Sequence, residues 1–382
     1  MARVTHVGLL LATLTPGHVG GSETYARGLL GAFADGHGPD RTTVLAHAAV
    51  ARTLGGLGGG VALHELPGSG PAGGGARRAA WLAGALAAAR ARPLRGLAVD
   101  VAHAPLTIPV PRVDAPLVVT LHDAGHHERV ASFSAAERAF RRVAYDAPAR
   151  RAALVITDSA HARAGIMRHL GIAGERVVAI HHGIDHQRFS PRPDAADGQL
   201  LAPLELPARF VVYPANLWPH KNHERLLDGL AATEDAGLAL VLTGQRGPRW
   251  AGLQELAARL GVADRVRHAG YLPAAAMPAL YRRATGLVFP SLFEGFGAPP
   301  LEAMACGCPV AASGAGAVAE VTGDAALRFD ARDPAAIGLA LTRLAGDGEL
   351  RARLRAAGPA HAAGFTWART AARHAEAYER AR

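Results

Sequence analysis

Short apolar runs alternate with longer amphipathic stretches along most of this chain, and they do so in two successive sets. In the first set "VTHVGLLLA", "TTVLAH", "VDVAHA", "PLVVTLHD" and "ALVITDS" read as buried strands. The second begins near residue 209 with "ARFVVYPAN" and continues through "LALVLTG", "VRHAGYL", "GLVFPS" and "CPVAAS". Parallel strands cannot be joined by a tight turn, so each needs a crossover, and a crossover helix covers the sheet face. The alternation therefore specifies an α/β chain of two tandem domains of similar size, with a cleft between them. The first helix is expected in "SETYARGLLGAFADG", where Leu29, Leu30 and Phe33 recur at helical spacing and Ser22 is a candidate N-cap. Residues 55 to 75 are glycine-dense and read as surface loop without a phosphate role. "HHGIDHQRFSPRPDAADGQLLAPLELP" is rich in Pro and Asp and weak in periodicity, as a linker is. The expected layout is an N-terminal domain over 1–188, a linker over 189–208, a second domain over 209–365 and a last helix over 366–382. Ligands of such sheets bind outside the carboxyl ends of the strands, so the informative residues should follow the strands.

Composition narrows the class. With 382 residues, 49% of them hydrophobic and 19% charged, the chain can bury two cores and does not read as disordered. Cys306 and Cys308 are the only cysteines, which excludes a disulfide framework and a four-thiolate zinc site. Two buried thiols in a reducing cytoplasm are expected. "MARVTHVGLLLATLTPGHVGG" has an apolar run far shorter than a membrane span and lacks a charged leader. The formal charge of +9 favours acidic partners, but the arginines are scattered and aromatics make up only 5% of residues. No nucleic-acid module is visible, and anionic small molecules or anionic lipid suit the balance better. A solvated Arg-rich surface explains the charge more simply than a dedicated patch.

Two stretches carry chemistry. "PANLWPHKNHERLL" holds Lys221, the sole lysine in a chain whose other basic residues are all arginine. Either it is residual, or the position needs a compact ammonium that a planar guanidinium cannot replace. In "FPSLFEGFGAPPLEAMACGCPVAAS" a strand enters a glycine-bearing loop, and Pro299 and Pro300 open a helix. The helix start should present N–H groups near Leu301 and Glu302 and favour a phosphate. Glu294 falls in the loop and Glu302 in the first helical turn, so both carboxylates flank the anion site. They could accept sugar and ribose hydroxyls. On spacing alone Glu302 serves equally well as a first-turn carboxylate that complements the helix dipole.

This stretch resembles the E-x₇-E region of glycosyltransferase family 4, retaining enzymes of the GT-B fold, which implies an α/β chain of two Rossmann-like domains with parallel sheets facing a central cleft. "GHVGGSETYARGLL" is similar to the family's N-terminal glycine loop and helix, and "VVTLHDAG" to its His-Asp strand end. "VITDSAHARAGIMRHLGIAGERVVAIHHGID" and "YPANLWPHKNHERLLDGL" match in the same order, leaving chiefly residues 40 to 95 unmatched. The resemblance implies that Lys221 contacts the donor pyrophosphate and Glu302 the ribose hydroxyls. Glu294, with backbone N–H groups of Phe296 and Gly297, would hold the transferred sugar. Gly20 and Gly21 would let backbone approach the phosphates, and His122 would line the reaction centre. Its alternative is a histidine bonded to backbone at the domain edge. The last helix would cross back onto the N-terminal domain.

One departure concerns Asn216, where many members carry Arg. Either Lys221 and the helix start neutralise the diphosphate alone, or an arginine such as Arg246 substitutes. "ERAFRRVAYDAPARRAA" sets Arg138, Arg141 and Arg142 beside Phe140 and Val143. A basic amphipathic stretch can touch a membrane surface, but a solvated face is favoured. The resemblance implies metal-independent, retaining hexosyl transfer from a nucleotide diphosphate sugar, a co-substrate rather than a cofactor. GDP-mannose is slightly favoured over UDP- or dTDP-sugars, and the acceptor is an alcohol of a glycan, lipid or small molecule. A nucleotide-sugar epimerase and a non-catalytic nucleotide-sugar binder are the alternatives. A nicotinamide dehydrogenase is discounted because "TPGHVGGSE" lacks G-x-G-x-x-G.

Overall fold

A computed structural model describes residues 5–17, 20–54, 58–71, 76–91, 94 and 96–382. The chain divides into two compact units: unit 1 comprises Met1–Gly183 with Thr366–Arg382, and unit 2 comprises Ile184–Phe365.

Unit 1 is built on seven strands: β1 His6–Leu10, β2 Arg41–His47, β3 Val61–Leu66, β4 Val101–Ala104, β5 Leu117–Thr120, β6 Leu154–Thr157 and β7 Val177–Ala179. Their order is β3-β2-β1-β4-β5-β6-β7, and every pair is parallel. Successive residues of β1 feed opposite cores. Val7 and Leu9 pack into one cluster with Tyr25, Leu29 and Phe33, and Leu10 into the other with Leu45 and Ile166. That alternation is why the strand runs are apolar throughout. The first cluster is completed from the far end of the sequence, by Ala371, Ala377, Tyr378 and Ala381 of the helix Trp367–Ala381. Thr366 caps this helix, its side chain accepting from the Arg369 N–H at 3.1 Å.

Unit 2 holds β8 Phe210–Pro214, β9 Ala239–Thr243, β10 Val266–His268, β11 Gly286–Phe289, β12 Val310–Ser313 and β13 Leu327–Phe329. The order is β10-β9-β8-β11-β12-β13, again parallel throughout. Strand order reverses between β1 and β4 in unit 1 and between β8 and β11 in unit 2, the switch points at which such sheets open a crevice.

Three expectations are corrected. The glycine-dense segment is not all loop: β3 pairs with β2 from Val61 to Leu66. Its pattern of two buried ends around a more open middle, as an edge strand allows, hid it from an apolar-run search. The expected linker 189–208 belongs to unit 2, where the short helix Asp197–Leu201 pairs its Asp197 with Arg282. Ser22 does not cap the first helix. Gly20 is the N-cap of Gly21–Ala34, with no side-chain cap bond.

Candidate active site

In unit 2 the loops after β8 and β11 flank the switch point, and they carry Lys221 and Glu294. The turn after β8 is tied at several points. The Trp218 N–H donates to the Asn216 carbonyl at 2.7 Å and the Lys221 N–H to the Trp218 carbonyl at 2.9 Å. Asn222 takes a left-handed φ of 63°. Its buried amide donates to the carbonyls of Pro290 at 3.1 Å and Ala331 at 2.7 Å, so this one residue fastens the turn to the next loop. The His220 carbonyl accepts the Leu292 N–H at 2.8 Å, and Tyr213 donates its hydroxyl to the Lys221 carbonyl at 2.7 Å. From this fixed backbone the Lys221 Nζ donates to Glu294 Oε1 at 2.5 Å, and both side chains are only 14% exposed. The ammonium also lies 5.6 Å from the Phe289 ring centroid, within cation–π range.

The helix Ala298–Ala305 follows, with Gly297 as N-cap at φ +99°, a conformation that favours glycine. Pro299 and Pro300 in its first turn have no N–H, which leaves Gly297 and Ala298 as the donors without an intrahelical acceptor. The expectation for Leu301 and Glu302 is corrected accordingly: both fall at helical positions whose N–H groups bond back into the helix. Leu301 is fully buried in the core. Phe296 is buried as well, 6.3 Å from the Phe365 ring, and anchors the loop.

Glu302 offers its carboxylate differently from Glu294. Burial pushes its pKa up to about 7, against the lowering pull of the Tyr281 hydrogen bond and the Arg188 charge. The Tyr281 hydroxyl donates to Oε2 at 3.2 Å. The E-x₇-E pair thus comprises one carboxylate in an ion pair and one poised near neutral pH.

Asn216 acts as a loop clamp, its Oδ1 accepting the Gln245 N–H at 2.8 Å. Arg246 is placed over the Trp250 ring, 5.4 Å from its centroid. His223, which no sequence argument singled out, is held neutral: burial first, then the Lys221 charge, brings its pKa down to about 3. A cavity of about 340 Å³ is lined by Trp218, His223, Glu224, Arg249 and Leu253 among others. It includes neither carboxylate of the pair, so concavity alone does not locate this site. Cys306 and Cys308 are both buried and free, with burial raising the Cys306 thiol to about 12, an inert state for sulfur.

In unit 1, Gly20 has φ +59°, and a Cβ at Gly20 or Gly21 would meet nothing within 4 Å. Glycine is thus required by conformation at Gly20 only, and His18 and Val19 lie outside the described residues. His122 follows β5. Its Nδ1 donates to Asp158, 2.9 Å from Oδ2, and His182 Nε2 lies 2.9 Å from Asp158 Oδ1. Burial alone would lower the His122 pKa, but the Asp158 charge and hydrogen bond, helped by Asp123, raise it. Burial would likewise raise the Asp158 carboxyl, yet the two histidines hold it well below the usual range. Tyr25 stacks on His182 at 4.7 Å and meets His122 edge-on at 5.2 Å. Its hydroxyl contacts Thr120 Oγ1 at 2.9 Å and His374 Nε2 at 2.7 Å. His103 extends the network from Thr120 to Tyr378, at 2.8 Å on each side. Asp158, His182 and this network escaped the sequence reading because their partners are far apart in the chain.

Each unit holds a doubly wound parallel sheet, and the second carries an ammonium–carboxylate pair and a proline-opened helix at its switch point, the architecture of a two-domain Rossmann-like fold. Family models match both units: "Glycosyltransferase Family 4" over residues 19–188 and "Glycosyl transferases group 1" over residues 203–361. The chain belongs to the GT-B glycosyltransferases of family 4 type. It is similar to a D-inositol 3-phosphate glycosyltransferase of Streptomyces scabiei, at 31% identity over 70% of this chain and 63% of that protein. It is also similar to the O-antigen chain mannosyltransferase B of Escherichia coli, at 32% identity over 60% and 61% of the two chains. The matched regions therefore span less than two thirds of these relatives' lengths. The crystal structure of Anabaena HepE in complex with UDP and glucose shares the fold, with TM-score 0.74 and 22% identity over 98% and 99% of the chains.

Proposed function

We propose that this protein transfers a hexose from a nucleotide diphosphate sugar to an acceptor hydroxyl, with retention of anomeric configuration. The observation that carries the reading is the Lys221–Glu294 pair, held at the β8/β11 switch point beside the start of Ala298–Ala305. An ammonium on a rigid turn is a suitable partner for a departing diphosphate, and the Gly297 and Ala298 positions add a positive helix end. When the diphosphate takes Lys221, Glu294 is released to accept hydroxyls of the sugar. Glu302 is the acceptor proposed for the ribose, and His122 of unit 1 the group proposed for the transferred sugar. With no dedicated base among these residues, a phosphate oxygen of the donor takes the acceptor's proton on the same face. Charge neutralisation by Lys221 and the helix start requires no metal at the donor.

GDP-mannose is slightly favoured, in keeping with a relative named as a mannosyltransferase. UDP-sugars are the second choice, because a structural neighbour was crystallised with UDP and glucose; dTDP-sugars are the third. Peripheral membrane contact has less support. Arg141 is occupied over Phe133 at 4.7 Å and Tyr145 at 4.9 Å, and Arg138 donates to the Val130 and Phe133 carbonyls. Among the described residues no helix is long and apolar enough to cross a membrane.

Thermal-shift screening against a nucleotide-sugar panel, then NMR coupling of the new anomeric proton, tests the proposal, in assays with and without EDTA. An inverted product, or turnover abolished by EDTA and restored by Mg²⁺ or Mn²⁺, contradicts it. Donor turnover without acceptor selects the epimerase reading. Selective donor binding without turnover across acceptors selects the binding protein.

A further inference from the structure

A second group of histidines lies a few residues beyond His122. The short helix Gly125–Glu128 presents two consecutive imidazoles to one carboxylate. His126 Nε2 is 2.8 Å from Asp146 Oδ1, and His127 Nε2 is 2.9 Å from Asp146 Oδ2. One ligand atom from each residue lies within 4.8 Å of the others. His126 and Asp146 are almost completely buried, whereas the His127 side chain keeps 22% of its surface exposed. We propose that His126, His127 and Asp146 form a binding site for one divalent transition ion of the Zn²⁺ type, a site independent of the sugar-transfer reading.

Three observations support it. The first is the donor set. Two imidazole nitrogens and one carboxylate suit a borderline ion, and three protein ligands with one partly open side leave a fourth position for water. Tetrahedral bonds of about 2.0–2.1 Å need N···O edges of about 3.3 Å, only slightly longer than the present hydrogen bonds. The second is charge. Asp146 sits in the interior with both carboxylate oxygens facing the two rings, a position in which a carboxylate needs hydrogen-bond donors or a cation. A divalent ion would answer that need. The third is local backbone. Asp146 ends a π-helical turn, Arg142–Asp146, between the helices Ala135–Arg141 and Ala147–Arg151. Such π-helical turns are frequent at functional sites.

On binding, each Nε2 proton moves to Nδ1 and the Nε2 lone pair faces the ion. His126 Nδ1 is buried with no hydrogen-bond partner, so no acceptor supports that ring. Lack of such a partner typically costs about 10–100-fold in affinity, so the site should bind more weakly than one whose rings are both supported. The ion would fasten the segment just after His122 and Asp123 to the helical run 135–151, a structural rather than chemical role.

The test uses the full chain, stripped with EDTA and titrated with Zn²⁺ by calorimetry and with Co²⁺ by absorbance. One ion per chain at micromolar concentration, visible Co²⁺ bands and a melting temperature several degrees higher in Zn²⁺ are expected. His127→Gln, a change at the partly exposed ring that spares the buried pair, should weaken binding at least tenfold. His122→Gln, in the neighbouring His–Asp–His group, should leave it unchanged. No saturable binding below about 100 μM, binding unaffected by His127→Gln, or binding abolished by His122→Gln would each overturn the site. A melting temperature that ignores Zn²⁺ overturns it equally.

Discussion

Lys221 is fixed through its backbone by Tyr213 and Trp218 and through its side chain by Glu294, which makes it a preorganised point charge. If that charge meets a leaving diphosphate, its benefit grows as the glycosidic bond breaks. Lys221→Ala is expected to lower kcat by about 10²–10³-fold, with a smaller effect on donor affinity. Lys221→Arg should rescue poorly, because a planar fork cannot occupy a turn fitted to an ammonium. Near wild-type turnover in Lys221→Arg would return this lysine to chance. Glu302 gives a prediction in pH. Burial holds its folded pKa at about 7, above the ordinary value of 4.5. The associated stability is therefore full below pH 4.5 and lost as pH rises through 7. Glu302→Gln cannot ionise, so it should match wild type near pH 4.5 and exceed it by on the order of 2 kcal/mol at pH 8. Denaturant melts at the two pH values check this, and a constant difference would refute the buried-carboxylate account.

At the scale of elements, the C-terminal helix closes unit 1 through close backbone approach and buried hydrogen bonds. A Cβ on Gly28 would lie 2.2 Å from the Trp367 ring, so the first helix needs glycine there. Helix propensity predicts that Gly28→Ala stabilises by about 1 kcal/mol. Overpacking against Trp367 predicts a loss of about 1–3 kcal/mol, and the clash should win. Hydrogen exchange localises the effect: residues 366–382 should lose protection, and a stabilised variant would contradict the packing. Beneath this contact, His374 and His103 are both neutral, with burial as the leading cause and the His374 pKa brought down to about 4. They bridge Tyr25, Thr120 and Tyr378, joining the helix to β4 and β5 without burying a charge.

For the molecule as a whole, the chain does not end where its second sheet ends. Removal of residues 366–382 takes Ala371, Ala377, Tyr378 and Ala381 out of one core of unit 1, while among the described residues the unit 2 core draws on residues 184–365. Truncation after Phe365 should therefore lower exchange protection across β1, β4 and β5 and leave β8 to β13 protected. Equal loss in both units would show that they do not hold independent cores.

How much of this was readable in advance depends on the range of the interaction that fixes it. Ten of the strands are local apolar runs and were visible as such; β3, β7 and β13 were not, being short or partly exposed segments whose pairing partner decides them. Lys221, Glu294 and Glu302 stood out through a sole lysine and a spacing, because a loop and the helix that follows it are encoded contiguously. The two prolines signalled a helix start, yet which N–H groups it leaves unbonded depended on where the first turn begins. Asp158 beside His122, and Asp146 beside His126 and His127, join residues 36, 20 and 19 positions apart. No local pattern encodes such a meeting. The sequence by itself determined the two parallel sheets and the residues at their carboxyl ends, since periodicity and turn chemistry act within a few residues. Folding settles which carboxylate is paired, which is raised toward neutrality and which histidines meet one aspartate. Those properties come from desolvation and from partners that folding brings together.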